Sequence, residues 1–129
     1  MYVDDLYEKS KKKMKNIAKL KKMDLHVHSP ASKDYIYSEE NIDIVEEYKK
    51  FINKFAESDL DVIAITDHNT IEGYKRIKEI ISKDEDLKDR LNRKYIMLGI
   101  EITCFARHFL VYFSEKMSIS KVEEFVKRH

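Results

Sequence analysis

The run DLHVHS, residues 24–29, spends two of the chain's five histidines one residue apart. In an extended segment the side chains at i and i+2 share a face, so His26 and His28 project together. Two imidazoles so placed can share one cation, although an isolated HxH also fits a pair of surface or capping histidines. Three other places carry groups of the same chemistry. TDHNT, residues 66–70, holds Asp67 and His68; GIE, residues 99–101, ends in Glu101; and His108 follows seven residues later. Each has a plain reading by itself: Asp67 and Asn69 as turn formers, Glu101 as a solvated strand end, His108 as a core histidine. Their common feature is position, because the first three groups each close a short apolar run and His108 opens another. The chain has one cysteine, Cys104, which rules out an internal disulfide and a CxxC clip. An ordered metal ion would therefore be held by His, Asp and Glu, and the thiol is expected to be buried.

The elements that must position these groups follow from hydrophobic periodicity. MDLHVH reads as a strand. Ser38 precedes EENIDIVEEYKKFINKFAES, where Val45, Tyr48, Phe51, Ile52 and Phe55 make a helical stripe. LDVIAIT is apolar at nearly every position, as suits a parallel strand covered on both faces. Thr70 is placed to cap a helix over IEGYKRIKEIISK, with Ile77, Ile80 and Ile81 inward, and DLKDRLNRK adds a short helical stretch. KYIMLGIEIT is a third strand, ARHFLVYF a half-exposed fourth, and Ser120 opens a closing helix, KVEEFVKRH. The order β-α-β-α-β predicts an α/β fold with mostly parallel strands. Loops at one end of such strands commonly carry active sites.

DLHVHS, ITDHNT and GIEIT, in this order and with helix-sized gaps, resemble the first three motifs of the PHP (polymerase and histidinol phosphatase) domain, and HFLVYF resembles the histidine-led strand that follows. The resemblance covers residues 23 to about 113. PASKDY after the first motif is most similar to PHP domains joined to AAA-like or SMC-like ATPases. The resemblance implies a distorted β/α barrel, here in part, that holds up to three divalent ions (zinc, manganese or iron) and hydrolyses phosphate esters. It implies that His26 and His28 bind one ion, that Glu101 bridges two, that His108 serves the second and that His68 and Asp34 serve a third. Asp34 stands six residues beyond His28, where many relatives have histidine, and a loop-solvated acid is its other reading. Asp67 and Asp24 are expected behind the ligands, orienting imidazoles through their free N–H groups. Glu101 and Asp67 are the expected catalytic residues.

Imidazoles mixed with carboxylates suit borderline divalent cations without separating zinc, manganese and iron. Paired ions lower the pKa of a water between them and polarise a phosphoryl oxygen, so the expected reaction is attack of metal-activated hydroxide on phosphorus. The substrate would be a nucleotide, a small phosphomonoester or a nucleic-acid end. Lys33 and Arg107 flank candidate ligands and read as surface cations.

The match also has gaps. The family's later histidines and its Asp-x-His have no counterpart after His108, where His129 is the remaining histidine, and a barrel of this kind needs roughly 200 residues. The chain is therefore expected to be the N-terminal part of a larger, ATPase-containing protein, a short relative that pairs with another chain, or a remnant without hydrolytic competence. A half-open sheet exposes a strand edge, which predicts homo-oligomerisation. A non-catalytic metal-binding or regulatory module that partners an ATPase or polymerase is the alternative function.

Composition sets outer bounds. With 43% hydrophobic and 38% charged residues in 129, the chain reads as one domain of residues 23–129 preceded by an amphipathic helix over residues 1–22. That segment carries eight lysines against three acids, which admits nucleic acid as a partner through phosphate contacts and equally describes a solvated face. No membrane span or secretion signal is apparent in the sequence, and a cytoplasmic protein is expected.

Overall fold

A computed structural model describes residues 20–129. The expected N-terminal helix lies outside the described residues except for its end, where Leu20, Lys21 and Lys22 belong to neither helix nor strand.

Four strands form one sheet: β1 (Met23–Val27), β2 (Val62–Ile65), β3 (Tyr95–Cys104) and β4 (Arg107–Tyr112). Their spatial order is β1-β2-β3-β4. β1 and β3 both run parallel to β2, while β4 returns antiparallel to β3. The architecture is thus α/β with a mostly parallel sheet. All four residues of β2 are buried, as its unbroken apolar run requires.

Parallel neighbours need crossovers, and helices supply them. α1 (Ile44–Glu57) links β1 to β2, and α2 (Glu72–Ser82) with α3 (Glu85–Arg90) links β2 to β3; α4 (Ile119–Arg128) follows β4. Tyr48, Ile52 and Phe55 of α1 pack with Ile77, Leu87 and the strand residues Ile63, Ile65 and Ile96. Val122 of α4 packs with Ile71, Leu98 and Ile100. These helices cover the face shown by the even-numbered residues of β3. Alternation therefore turns Gly99, Glu101 and Thr103 to the opposite face.

Three helix starts differ from the sequence reading. α1 is capped by Asp43, whose carboxylate accepts the Val45 and Glu46 amides at 2.9 and 3.3 Å. Ser38 is not its cap, because both its N–H and its hydroxyl are given to Glu47. Ile71 stands at the cap position of α2, and Thr70 Oγ1 accepts the Glu72 amide from one residue earlier. Ser118, not Ser120, caps α4. The late start of α1 leaves residues 28–43 as a long loop, and loops of this length inside a compact unit are commonly functional.

The edge strand β4 is more exposed than expected: His108, Phe109, Leu110 and Tyr112 are all open to solvent. Tyr112 nevertheless donates its hydroxyl to the Leu25 carbonyl at 2.6 Å, tying the last strand to the first. The two residues joining β3 to β4, Phe105 and Ala106, both adopt positive φ, 48° and 58°. A two-residue I′ hairpin turn requires this and normally uses Asn-Gly; without glycine it costs about 1–2 kcal/mol per residue. Among the described residues no helix is long and apolar enough to cross a membrane.

Candidate metal centre

Glu101 is the hub. On β3 it shares a face with Thr103, whose cross-strand partner is His108, so His108 leans back over the same face and its Nδ1 lies 2.9 Å from Glu101 Oε1. From the other side β1 delivers two imidazoles. His26 Nε2 and His28 Nε2 lie 3.0 and 2.7 Å from Glu101 Oε2. Between them β2 continues past its formal end: His68 bridges to Glu101, with Glu101 N donating to the Asp67 carbonyl and Asn69 N to the Glu101 carbonyl. His68 Nε2 then stands 3.6 Å from Glu101 Oε2.

Asp34 enters from the long loop. Its Oδ1 is 3.0 Å from His28 Nδ1 and its Oδ2 is 3.1 Å from His68 Nε2. The six residues expected as ligands, His26, His28, Asp34, His68, Glu101 and His108, are thereby gathered into one cluster. It resolves into three overlapping triads, each with donor atoms within 4.8 Å of one another: His26, His28 and Glu101; His28, Asp34 and His68; His68, Glu101 and His108.

Asp67 and Asp24 behave differently from expectation. Asp67 is fully buried and takes the Ser29 amide on one oxygen at 2.6 Å and the Ser29 hydroxyl on the other at 2.5 Å. It fixes the chain directly after His28 instead of bonding an imidazole. Asp24 accepts the backbone N–H of His26 at 3.1 Å, which likewise orients backbone. Gly73 of α2 lies against this pair, and a Cβ there would overlap Ser29 Oγ and Asp67 Oδ2.

The electrostatics match a site that needs positive charge. Burial pushes the Glu101 carboxyl up, but hydrogen bonds from His26 and His28 and the charge of His68 outweigh it and hold it below the usual glutamate range. Desolvation raises Asp34 as well, yet the Ser32 hydroxyl, His68 and His28 bring it down to about 2. Asp67 goes the other way, raised by burial against its bonds from Ser29. His28 offers Nδ1 to one carboxylate and Nε2 to another. A divalent cation at the cluster would balance the two carboxylates that flank this ring. The donor set of imidazoles and carboxylates fits zinc, manganese or iron. One nitrogen, His68 Nδ1, is buried with no hydrogen-bond partner among the described residues.

Three residues that hold the site were not singled out from sequence. Ser29 fills Asp67, and Ser32 donates to Asp34 at 2.9 Å. Glu47 of α1, 1% exposed, accepts from the Tyr35 hydroxyl at 2.9 Å, the Ser38 amide at 3.0 Å and the Ser38 hydroxyl at 2.6 Å. Its bonds anchor the loop that carries Asp34. The one available signal was an acid flanking the apolar stripe of α1, which by itself describes a solvated edge equally well. Cys104, expected in the core, is exposed at the end of β3.

Compared with protein-family models, with curated proteins and with solved structures, the chain finds no match.

Proposed function

We infer that this chain is a metal-dependent phosphoesterase of the PHP type. The observation that carries the reading is the convergence on one buried carboxylate, Glu101, of imidazoles from β1, from the end of β2 and from β4, in the order in which the sequence resembles PHP motifs. Its two oxygens face different imidazoles, Oε2 toward His26 and His28 and Oε1 toward His108. Glu101 is thus suited to serve two ions, with Asp34 and His68 beside a third position. Divalent ions held there would activate water and neutralise charge on a phosphate ester. The chain's own part is to aim the ligands: Asp67 and Ser29 set the backbone after His28, Ser32 orients Asp34, and the pairing of Asn69 with Glu101 keeps His68 over the cluster. In this reading Asp67 is a positioning residue.

The test is release of p-nitrophenol from its phosphate mono- and diester with manganese or zinc. The expected activity is abolished by chelator, by His26→Ala and by Glu101→Ala. A protein proven by elemental analysis to hold metal, yet inert on both esters, would overturn the hydrolase.

One observation favours a second reading, a metal-binding module completed by a partner such as an ATPase, a polymerase or another copy of the chain. The side chains of His26 and His108 are half exposed, and the neighbouring Leu110 and Tyr112 of the edge strand are open as well. In that case metal binds tightly and neither ester is hydrolysed.

A further inference from the structure

The β3–β4 turn is built against the preferences of its own residues. Phe105 and Ala106 hold left-handed backbone at φ 48° and 58°, a conformation that suits glycine or asparagine. Strain of this kind persists where surrounding structure enforces it and clusters at ligand sites. Here the enforcing structure is the hairpin ladder that carries the cluster: Thr103 pairs with His108 and Cys104 with Arg107, so the turn must close in two residues. Phe105 gains nothing inside the molecule in return, because its side chain is 97% exposed. A fully wet phenyl ring is an unused face for stacking.

Its location limits what would stack there. The tip lies two residue steps beyond the level of His108, about 7 Å along the strand, and His108 Nδ1 touches Glu101. Arg107, exposed beside the turn, pairs with Cys104 and by alternation faces away from His108, which leaves the ring as the group the tip offers. A planar group is thus offered a ring while an attached phosphate is offered the cluster.

We propose that Phe105 is a stacking platform for a nucleobase whose phosphate lies at the Glu101 cluster, so that the ligand is a nucleotide or the end of a single-stranded nucleic acid. This inference rests on the phosphate-ester reading of the cluster and names its substrate class. Base–aromatic stacking tolerates any base, since every base has a π face. The contact therefore selects nucleotides over small phosphate esters without selecting sequence.

The chain contains no tryptophan, so Phe105→Trp places a single indole at the tip. A mononucleotide and a short single-stranded oligonucleotide are titrated separately into this variant, in chelator and then in manganese, with tryptophan fluorescence as the readout. Quenching by both marks nucleotide recognition; quenching by the oligonucleotide alone marks a nucleic-acid end; both support the proposal. Phe105→Ala should weaken binding of the quenching ligand about 5- to 150-fold and leave inorganic phosphate binding unchanged. Fluorescence indifferent to both ligands, or unaltered affinity in Phe105→Ala, overturns it. An emission shift with protein concentration alone also overturns it, because the tip is then a contact between copies. The phosphoesterase reading fails separately: quenching without hydrolysis leaves the stacking site standing, and hydrolysis without quenching leaves the enzyme standing.

Discussion

His28 Nε2 lies 2.7 Å from Glu101 Oε2, although 73 positions of sequence separate the residues and β2 runs between their strands. His26 and His68 approach the same oxygen. A carboxylate buried to this degree is tolerated when it is paired and hydrogen-bonded, so its charge is the feature that organises the cluster. Glu101→Gln keeps the shape and removes the charge. Its expected effect on manganese or zinc affinity exceeds the roughly 10–100-fold loss that follows removal of an outer partner, with an unchanged circular dichroism spectrum. Isothermal titration checks the affinity, and wild-type affinity in the variant would refute Glu101 as a ligand.

Glu47 acts on Asp34 from a distance, through Tyr35 and Ser38. Glu47→Ala strips three donors of their acceptor at once and frees the loop. We expect a melting temperature lower by several degrees and about 10–100-fold weaker binding at the triad of His28, Asp34 and His68, while the triad of His26, His28 and Glu101 keeps its ion. Metal stoichiometry at limiting concentration separates the two, and a uniform loss at all positions would point to general unfolding.

Tyr35 gives the same anchor a pH dependence. Burial, and then its hydrogen bond to the Glu47 carboxylate, pushes the phenol up to about 12, from an ordinary value of about 10. The folded state favours the protonated phenol, so this contribution to stability is complete below about pH 10 and is lost as pH rises through about 12. Tyr95 is raised to about 12 too, by burial and by Glu115. Titration of phenolate absorbance should therefore show one late-ionising tyrosine fewer in Tyr35→Phe than in the wild type. An unchanged late phase in the variant would contradict the assignment.

Gly73 allows α2 to approach the Ser29–Asp67 pair. Gly73→Ala drives a methyl group into two buried hydrogen-bonded oxygens, and overpacking of this kind costs about 1–3 kcal/mol. Urea unfolding should show the loss in the midpoint. Because Ser29 adjoins His28, metal affinity should fall with it; a variant as stable as wild type would mean that the helix shifts freely.

Much of the fold was legible because it depends on local order. The unbroken apolar run VIAI had to be a strand covered on both faces, and helical stripes between strands had to be crossovers. The helix starts were less legible, because a serine that can cap can also donate elsewhere: Ser38 serves Glu47 and leaves the cap to Asp43. Cys104 and β4 came out more exposed than their apolar neighbours suggested, since an edge strand is buried on as many sides as its partners cover.

For the site, alternation along β1 put His26 and His28 on one face, and the ends of the apolar runs put His68 and Glu101 at one rim. Those relations are properties of neighbouring residues and can be read in order along the chain. Which acids would meet the imidazoles is a different matter. Asp34 and Asp67 were both candidates, each a short acid in a polar loop, yet Asp34 reaches two histidines while Asp67 turns inward to Ser29. That choice depends on where a 16-residue loop, residues 28–43, folds back and on Glu47 holding it there, contacts between segments distant in sequence. The strand pattern determined which face the imidazoles share; tertiary packing alone decided which carboxylates answer them, because a buried charge takes whichever partners the surrounding chain brings within hydrogen-bonding distance.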